Sequence, residues 1–341
     1  MKVLLIGPHP PPHGGKSVHV SGIHRQLTSA GITCRVLDTS TVRPGFGLGL
    51  AVVRHAFEGW ILHLHTNGHN VKSWLLALGC GLAGQFRGGS ILTLHSGMVP
   101  GYLETAPLWR RRLTALTCSL YRQIICVSSE IRSALVLLGV ESQRLEILPA
   151  FLSTEEPEVP VEPWLAEWIA RHRPLFSTVL FFRPEYGFDV LVAGLTRLGR
   201  LYPSFGCLVM GSGEQRAEAE KRVRDAGLEE RILLLGDVDH EDCLALLSAS
   251  DVFLRPTFED GDSISVREAL SLGVPVVASR VGTRPAGAIL FHPGDVDELI
   301  AKVRMALARK RDNQPQPGGC MDRLMEIYRR VDGREGRLCL N

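Results

Sequence analysis

Acidic side chains crowd one short segment of the chain, FEDGDSISVREAL, residues 258–270. Glu259, Asp260 and Asp262 stand within four positions, and Glu268 follows them. Carboxylates this close repel one another unless water or the hydroxyl groups of a ligand satisfy them. The glycine between them allows a close backbone approach, and free N–H groups at the start of the predicted helix favour a diphosphate. The segment is therefore a candidate site for sugar hydroxyls and phosphate.

The same residues also fit a helix start that binds nothing. Ser265 and Glu268 have the S/T-x-x-E spacing of a capping box, and Asp262 or Ser263 would serve as a single cap. Local patterns favour this alternative, because every protein has caps and few segments are active sites. The two interpretations stay open at this point.

Two glycine turns are further candidates for ligand contact. Gly14 and Gly15 in GPHPPPHGGKSVHV precede a predicted helix, where an anion or a sugar oxygen could meet free N–H groups. Gly211 and Gly213 in VMGSGEQ follow an apolar run and are a candidate seat for a nucleotide. The alternative is a glycine turn needed only to enter the helix. Neither segment has the spacing of a Walker loop or of G-x-G-x-x-G, which disfavours a dehydrogenase.

Histidines end or fill two of the predicted strands. His95 in TLHSGMV follows the fourth strand, where ligands bind in open parallel sheets, although a lone loop histidine is more often satisfied by its neighbours. His63 and His65 in LHLHT are expected to face opposite sides of their strand and so not to share a metal. We predict no metal and no cofactor. The alternating acids of EDGD leave a metal open as the alternative.

Short apolar runs must position these groups. Continuous runs bounded by Gly, Pro, Ser or Asp are typical of strands buried on both faces of a parallel sheet. The first series is KVLLIG (2–7), CRVLD (34–38), WILHLHT (60–66), SILTLHS (90–96) and QIICVS (123–128). The second is TVLFFR (178–183), GCLVMG (206–211), RILLLG (231–236), DVFLRP (251–256), VPVVAS (274–279) and AILF (288–291). Helical spacing between the runs predicts two doubly wound α/β domains.

Length and composition agree with two domains. The chain has 341 residues and a formal charge of +2, too small an excess to argue for nucleic acid. Its eight cysteines form no C-x-x-C pair, which indicates reduced thiols. No apolar run suits a signal peptide or a spanning helix, which predicts a cytoplasmic protein. The segment LSTEEPEVPVEPWL is the predicted linker, KRDNQPQPGG a predicted loop, and MDRLMEIYRRV a helix with one apolar face.

These motifs together resemble the retaining, nucleotide-sugar-dependent glycosyltransferases of family four along nearly the whole chain. The most specific part is RPTFEDGDSISVREALSLGVPVVASRVG, because that family carries two acids separated by seven residues, then an alanine and a G-x-P-V-V-A-S strand. Asp260 and Glu268 have this spacing. The other matching parts are GPHPPPHGGKSVHV, LTLHSG, VSSEIRSALVLLGV, RLEILPAF, FRPEYGFDVLVAGL and LVMGSGE.

The resemblance implies the GT-B fold, with two Rossmann-like domains facing a cleft. Residues 1–160 would form the acceptor-side domain and residues 161–312 the nucleotide-sugar domain. Residues 313–341 would form a tail whose helix crosses back to the first domain.

The resemblance also implies roles for individual residues. Asp260 would contact donor-sugar hydroxyls and Glu268 the ribose diol, and His95 would lie beside the donor sugar. Gly14 and Gly15 match the family's first glycine loop. The sugar and diphosphate would be surrounded by the amides of Gly261, Asp262, Ser263 and Ile264.

Two departures from the family pattern stand out. Family members often have Glu where Asp260 stands. The family's basic pair on the diphosphate ends in P-E-K-G, but here the chain reads RPEYG, so that Tyr186 occupies the lysine position. Arg183 is our first candidate for the missing charge, ahead of Arg255 and Lys16.

The implied reaction is transfer of a hexosyl group from a nucleotide diphosphate sugar, with UDP the commonest family choice, to a saccharide or lipid-linked saccharide hydroxyl. Cell-surface polysaccharide biosynthesis is the implied setting. Residues 107–123 read as a basic amphipathic helix, which predicts contact with the cytoplasmic face of a membrane or, equally, a solvated surface helix. The alternative functions are a GT-B sugar-nucleotide epimerase and an inactive sugar-nucleotide-binding partner subunit.

Overall fold

We describe the protein from a computed structural model, in which residues 1–11, 14–40, 46–150, 159–309 and 319–333 are described. The chain divides into two compact units. Unit 1 contains Met1–Leu152 and Pro317–Asn341, and unit 2 contains Ser153–Gln316. The sequence interpretation set the corresponding boundaries after residues 160 and 312. Half of the predicted linker (residues 152–158) and nearly all of the predicted 310–319 loop lie outside the described residues. The last three residues of the predicted linker instead begin a helix, at Pro163.

Unit 1 is built on a parallel sheet of six strands in the order β2-β1-β3-β4-β5-β6. Its strands are β1 (Lys2–Gly7), β2 (Thr33–Asp38), β3 (Ile61–Thr66), β4 (Ser90–Leu94), β5 (Gln123–Cys126) and β6 (Leu145–Ile147). The central strands are buried on both faces, which explains their continuous apolar runs.

Six helices of unit 1 precede the second unit in the chain. They are α1 (Gly15–Ser29), α2 (Phe46–Phe57), α3 (Val71–Ala83), α4 (Val99–Glu104), α5 (Leu108–Ser119) and α6 (Ser129–Leu137). The strand order reverses direction after β2, and crossovers are right-handed, so α1 covers one face of the sheet while α2, α3 and α5 cover the other. On that second face α3 packs beside both α2 and α5.

Unit 2 repeats this plan with a parallel sheet in the order β12-β11-β10-β7-β8-β9. The strands are β7 (Leu175–Val179), β8 (Gly206–Met210), β9 (Ile232–Gly236), β10 (Val252–Arg255), β11 (Val276–Ser279) and β12 (Ile289–Phe291). The helices are α7 (Pro163–Arg171), α8 (Phe188–Leu198), α9 (Arg216–Asp225), α10 (His240–Ala249), α11 (Ile264–Ser271) and α12 (Val296–Leu307). Two apolar cores lie against this sheet.

The last helix, α13 (Cys320–Asp332), belongs to unit 1. Its buried face includes Leu324, Ile327, Tyr328 and Val331, the apolar face that the sequence predicts. These side chains join the core formed by β1 and α1. The hydroxyl of Tyr328 lies 2.6 Å from Nδ1 of the buried His63 on β3. The predicted return of the tail helix to the first domain is therefore confirmed.

The predicted α/β class with two doubly wound sheets is also confirmed, with one strand misplaced. The sequence placed a strand at residues 178–183, but β7 is Leu175–Val179. Ser177 and Thr178 are fully buried in this strand, whereas the apolar run that marked the prediction continues into the loop after it. Within the described part of the chain, no helix has both the length and the apolar character needed to cross a membrane.

Replacing Ile327 by alanine should destabilise unit 1. The side chain is fully buried, and truncating such a residue costs about 2–5 kcal/mol of unfolding free energy. Urea unfolding of the full chain, followed by circular dichroism, measures this loss. Arg329→Ala on the exposed face of α13 is the control, with an expected change within about 0.5 kcal/mol. Equal unfolding curves for both variants would contradict the packing of α13 described above.

Candidate functional site

The loop between β10 and α11 holds the acidic segment, and Asp260 is its most constrained residue. Its Oδ2 accepts hydrogen bonds from Nε of Arg255 at 3.0 Å and from Nη1 of Arg284 at 3.1 Å. Its Oδ1 accepts one from the N–H of Gly261 at 3.1 Å. Burial alone would raise the pKa of Asp260, but the two guanidinium groups together hold it below its ordinary value. Asp260 is therefore an ionised, hydrogen-bonded carboxylate.

Both arginines around Asp260 are held on several sides. The side chains of Arg255 and Arg284 are only 8% and 3% exposed. Arg255 ends β10 and donates from Nη1 to the carbonyl of Val179. Arg284 donates from Nε to the carbonyl of Ser279 at 3.0 Å and from Nη2 to Thr257 Oγ1 at 3.1 Å. Hydrogen bonds to backbone carbonyls at the ends of strands thus hold both guanidinium groups in place.

A second buried ion pair joins the loop to α11. Arg267 donates from Nε to Oδ1 of Asp262 at 2.7 Å. Oδ2 of Asp262 has no hydrogen-bond partner among the described residues. Burial raises the pKa of Asp262, and Arg267 only partly opposes this.

The start of α11 lacks the predicted cap. Ser263 is the residue before the helix and makes no side-chain capping bond, and its Oγ lies 3.2 Å from Oγ of Ser265. Ser265 is itself inside α11, so the capping-box interpretation was wrong. Ile264 begins the helix, and the backbone from Gly261 to Ile264 is buried in this turn.

Glu268 points to a different partner from the one that a capping box requires. Its Oε1 lies 2.7 Å from Nε2 of His240, the first residue of α10. Glu268 is 5% exposed, whereas 28% of the His240 side chain is exposed. This carboxylate is therefore oriented by a histidine from the neighbouring helix.

Glycines bring the remaining loops of unit 2 against each other. A Cβ on Gly211 would lie 2.1 Å from the carbonyl oxygen of Leu180, and one on Gly213 would lie 2.6 Å from the nitrogen of Phe182. Gly187 is left-handed at φ +67°, and a Cβ there would lie 2.0 Å from the carbonyl oxygen of Pro256. The RPEYG turn therefore packs directly on the loop that carries Asp260.

Arg183 and Tyr186, two residues of the RPEYG turn, differ in environment. Arg183 is exposed and forms no ion pair within the described part of the chain. Tyr186 is half-buried, and burial raises the pKa of its hydroxyl, so the side chain is neutral. The guanidinium carbon of Arg255 lies 5.2 Å from the centre of its ring.

In unit 1, His95 follows β4 and belongs to a group of imidazoles. Its Nε2 lies 3.1 Å from Nδ1 of His65 on β3. The ring of His19 on α1 is centred 5.4 Å from that of His95. Burial lowers the pKa of His19 to about 4 and that of His63 to about 3. Burial also lowers the pKa values of His65 and His95, which are therefore neutral at physiological pH.

The expected orientation of two of these histidines was wrong. The rings of His63 and His65 are centred 4.1 Å apart, because residues two apart on a strand lie on the same face. A potential metal-binding group does exist here: one ring nitrogen from each of His19, His65 and His95 lies within 4.8 Å of the others. The contact between His65 and His95 already occupies one nitrogen of each ring, and the predicted absence of a metal stays a prediction.

The first glycine loop begins α1. Gly14 is the residue before the helix, and its N–H donates to Oγ of Ser17 at 2.9 Å, while Gly15 is exposed in the first turn. Lys16 follows, and burial lowers the pKa of its amine to about 8. Gly14 and Gly15 thus lie in unit 1, as do His19, His65 and His95.

Sequence reasoning missed three residues of the arrangement in unit 2. His240 and Arg267 carry no motif of their own, although Arg267 lies in the same segment as Glu268. Arg284 is 24 positions from Asp260 along the chain, and only the pairing of β10 with β11 brings it close. No local spacing signals such a contact.

Comparisons with known proteins identify the fold. The chain is similar to HepE of Anabaena in a crystal structure with UDP-glucose, with a TM-score of 0.70 and 16% identity over 98% of both chains. It is also similar to sucrose-phosphate synthase from Thermosynechococcus elongatus, with a TM-score of 0.67 and 19% identity over 99% and 98% of the two chains. The protein therefore has the GT-B fold.

Unit 2 also matches a known sequence family. The model of the family described as Glycosyl transferases group 1 matches residues 173–309, most of unit 2, which confirms the predicted resemblance.

Among curated relatives, the chain is 22% identical over 242 residues to the gpi3 subunit of phosphatidylinositol N-acetylglucosaminyltransferase of Schizosaccharomyces pombe, covering 69% of this chain and 52% of that protein. It is 35% identical over 140 residues to 2-deoxystreptamine glucosyltransferase of Streptomyces kanamyceticus, covering 39% of this chain and 36% of that protein. The chain thus spans about half or less of the length of these relatives.

The buried histidines should make stability depend on pH. In the unfolded chain they take up protons near pH 6.5, whereas His19 and His63 stay neutral in the folded chain down to about pH 4 and 3. The unfolded state therefore binds more protons as pH falls below 6.5, and stability is lost by roughly 1.4 kcal/mol per pH unit for each such histidine. Urea unfolding between pH 6.5 and 5 measures this slope.

His19→Gln should make the slope shallower, because one titrating group is removed. Arg200→Gln in unit 2, at an exposed arginine, should leave the slope unchanged because it removes no histidine. If the wild type and His19→Gln have the same slope, His19 does not titrate differently in the two states.

Proposed function

We propose that the protein is a retaining glycosyltransferase that moves a hexosyl group from a UDP-sugar to a hydroxyl of a saccharide or lipid-linked saccharide. The observation that carries this proposal is the loop that leads into α11. It presents two oriented carboxylates, Asp260 and Glu268, on either side of a helix start without a side-chain cap. The segment lies within residues 173–309, which match the model of the family described as Glycosyl transferases group 1.

Each group has a distinct task in this reaction. Glu268, held by His240, accepts hydrogen bonds from the ribose diol. The amides between Gly261 and Ile264 receive the diphosphate, which the partial positive charge of a helix start favours. Basic side chains and these amides take the place of a metal ion, so the reaction runs without one.

The configuration of the anomeric carbon is retained because the acceptor attacks on the face from which the diphosphate departs. The bond between the anomeric carbon and the phosphate oxygen breaks, and its electron pair departs with UDP. The acceptor oxygen bonds to the same face of the anomeric carbon and passes its proton to the departing phosphate oxygen. The remaining work of the protein is positioning and charge stabilisation.

The names of similar proteins support the donor class. HepE was crystallised with UDP-glucose, and the S. pombe and S. kanamyceticus relatives are named for N-acetylglucosaminyl and glucosyl transfer. A UDP-linked hexose or N-acetylhexosamine is therefore the proposed donor.

Unit 1 presents a surface suited to a lipid-linked acceptor. We define the apolar helix surface as the exposed side chains on and after α2 and α3 and on α5. They are Leu50, Val53, Phe57, Leu75, Leu82, Phe86, Leu108, Trp109 and Leu116. The rings of Phe57 and Phe86 stack with centres 4.2 Å apart. Arg111 and Arg112 add two exposed arginines close to Trp109 along α5, and we propose that this surface rests on an anionic membrane.

Glu268→Gln should weaken binding of a UDP-sugar about tenfold or more. The amide accepts a weaker hydrogen bond from the ribose than a carboxylate, and hydrogen bonds to charged groups contribute about 1.5–3 kcal/mol. Isothermal titration with UDP-glucose and UDP-N-acetylglucosamine measures the change. Glu259→Gln is the matched control, because Glu259 is exposed in the same loop. If the wild type shows no binding or thermal shift with any uridine, guanosine or adenosine diphosphate sugar, the proposed function is wrong.

Trp109→Ser combined with Leu116→Ser should reduce binding to vesicles that contain phosphatidylglycerol, roughly tenfold at low salt. These side chains are 54% and 57% exposed, and the variant removes the apolar area that would enter the lipid interface. Co-sedimentation measures binding, which should also weaken with added salt. Trp164→Ser on α7 of unit 2, also 57% exposed, is the control. Failure of the wild type to sediment would exclude the membrane contact but leave the transfer reaction untouched.

Binding of a sugar nucleotide without transfer is the second candidate, and Tyr186 is the observation that favours it. A neutral side chain at this position removes a positive charge that family members place on the departing diphosphate. Product analysis by mass spectrometry after incubation with donor and a panel of acceptors distinguishes the two candidates, and also detects the isomerised donor that an epimerase would release.

A further inference from the structure

The RPEYG turn lacks the family's lysine and keeps one cationic side chain, Arg183. Tyr186 is neutral, and Arg183 is exposed and forms no ion pair in the described ranges of the chain. Water screens an exposed guanidinium more strongly than a buried one. If this unit binds a diphosphate, a buried arginine on a neighbouring element would therefore stabilise it more strongly than Arg183 alone.

The loop next to that turn carries an excess of buried positive charge. Three guanidinium groups, those of Arg255, Arg267 and Arg284, face two carboxylates, Asp260 and Asp262. Asp262 pairs with Arg267, which leaves Asp260 shared between the other two arginines. Their remaining recorded acceptors are neutral oxygens. A buried charge without a counter-ion is costly. A bound anion would therefore stabilise Arg255 and Arg284.

The excess positive charge lies beside Tyr186, the residue that replaces the family's lysine. The guanidinium carbon of Arg255 lies 5.2 Å from the centre of the ring of Tyr186. Gly187 fixes the approach of the two loops, because a side chain there would collide with the carbonyl of Pro256. The N–H of Phe258 also donates to the carbonyl of Glu185 at 2.8 Å. The charge of Arg255 thus lies over the residue that replaces the family lysine.

We propose that Arg255 and Arg284, held in place by Asp260, form the diphosphate-binding site of this protein and take over the role of the family's arginine and lysine pair. This inference rests on the proposed function and names the groups that stabilise its leaving group. When the anomeric bond breaks, the electron pair moves to the phosphate oxygen, and the two guanidinium groups stabilise that charge without gaining or losing a proton. Asp260 is then a positioning residue for the arginines.

The proposal accounts for both departures from the family pattern at once. With Asp in place of Glu, the carboxylate of residue 260 lies within hydrogen-bonding distance of both arginines. With Tyr in place of Lys, the neighbouring position offers a neutral ring on which a guanidinium can rest. A lysine at 186 beside an unchanged Arg255 would instead place two positive charges together.

Titration calorimetry with UDP, uridine and inorganic pyrophosphate tests the assignment in the full chain. Arg255→Met and Arg284→Met should each weaken UDP and pyrophosphate binding at least tenfold, while uridine binding stays unchanged because uridine carries no phosphate. Tyr186→Lys combined with Arg255→Met should recover most of the lost affinity for UDP, since it returns the charge to the family position. Arg200→Met, on an exposed arginine of the same unit, is the control.

The outcomes test the assignment of Arg255 and Arg284 separately from the proposed function on which it rests. If UDP binds the wild type and both methionine variants equally, the inference is wrong and the proposed function stands. If Arg183→Met loses pyrophosphate binding and Arg255→Met does not, the charge comes from Arg183 instead. If no nucleotide and no pyrophosphate binds the wild type, both proposals fail. Recovery in the double variant shows that a loss in Arg255→Met did not result from misfolding.

Discussion

The carboxylate of Asp260, shared by two buried guanidinium groups, is the interaction on which the candidate site depends. It joins the end of β10, through Arg255, to the turn after β11, through Arg284. Removing one partner from such a cluster leaves a buried charge without compensation, which costs far more than the loss of a surface ion pair. The ion pairs of Asp260 therefore fix the loop within unit 2, and this loop leads into the uncapped start of α11.

Unit 1 is organised around a different polar contact. Nδ1 of His63 lies 2.6 Å from the hydroxyl of Tyr328, and its Nε2 lies 2.7 Å from Oγ1 of Thr93. Both nitrogens of a fully buried ring are thereby satisfied, and α13 is fixed to the centre of the sheet despite its distance along the chain. The neighbouring histidines stay neutral because they are buried. A charged ring in this core would lack the water that stabilises its charge.

Much of this architecture was predictable from the sequence. Continuous apolar runs indicated every described strand except the short β6, since strands of a parallel sheet are buried on both faces. The misplacement of β7 arose because the buried polar residue Ser177 separates Leu175 and Phe176 from the apolar run that marked the prediction. The capping-box prediction for Ser265 and Glu268 failed because spacing alone does not reveal that His240 competes for the carboxylate. Arg284 could not be predicted at all, because its contact with Asp260 exists only once β10 and β11 pair.

Considered one at a time, the two departures from the family pattern suggest a weakened enzyme. A shorter acid reaches less far, and a tyrosine supplies no charge. The structure joins them through a single residue, Arg255, which bonds to the shorter acid and lies over the tyrosine. Independent changes at the two positions would not by themselves place one arginine in contact with both of them. A substituted acid, a substituted base and two arginines that satisfy the same carboxylate are instead mutually dependent, as expected when positive charge has moved to a new position within a site that still needs it.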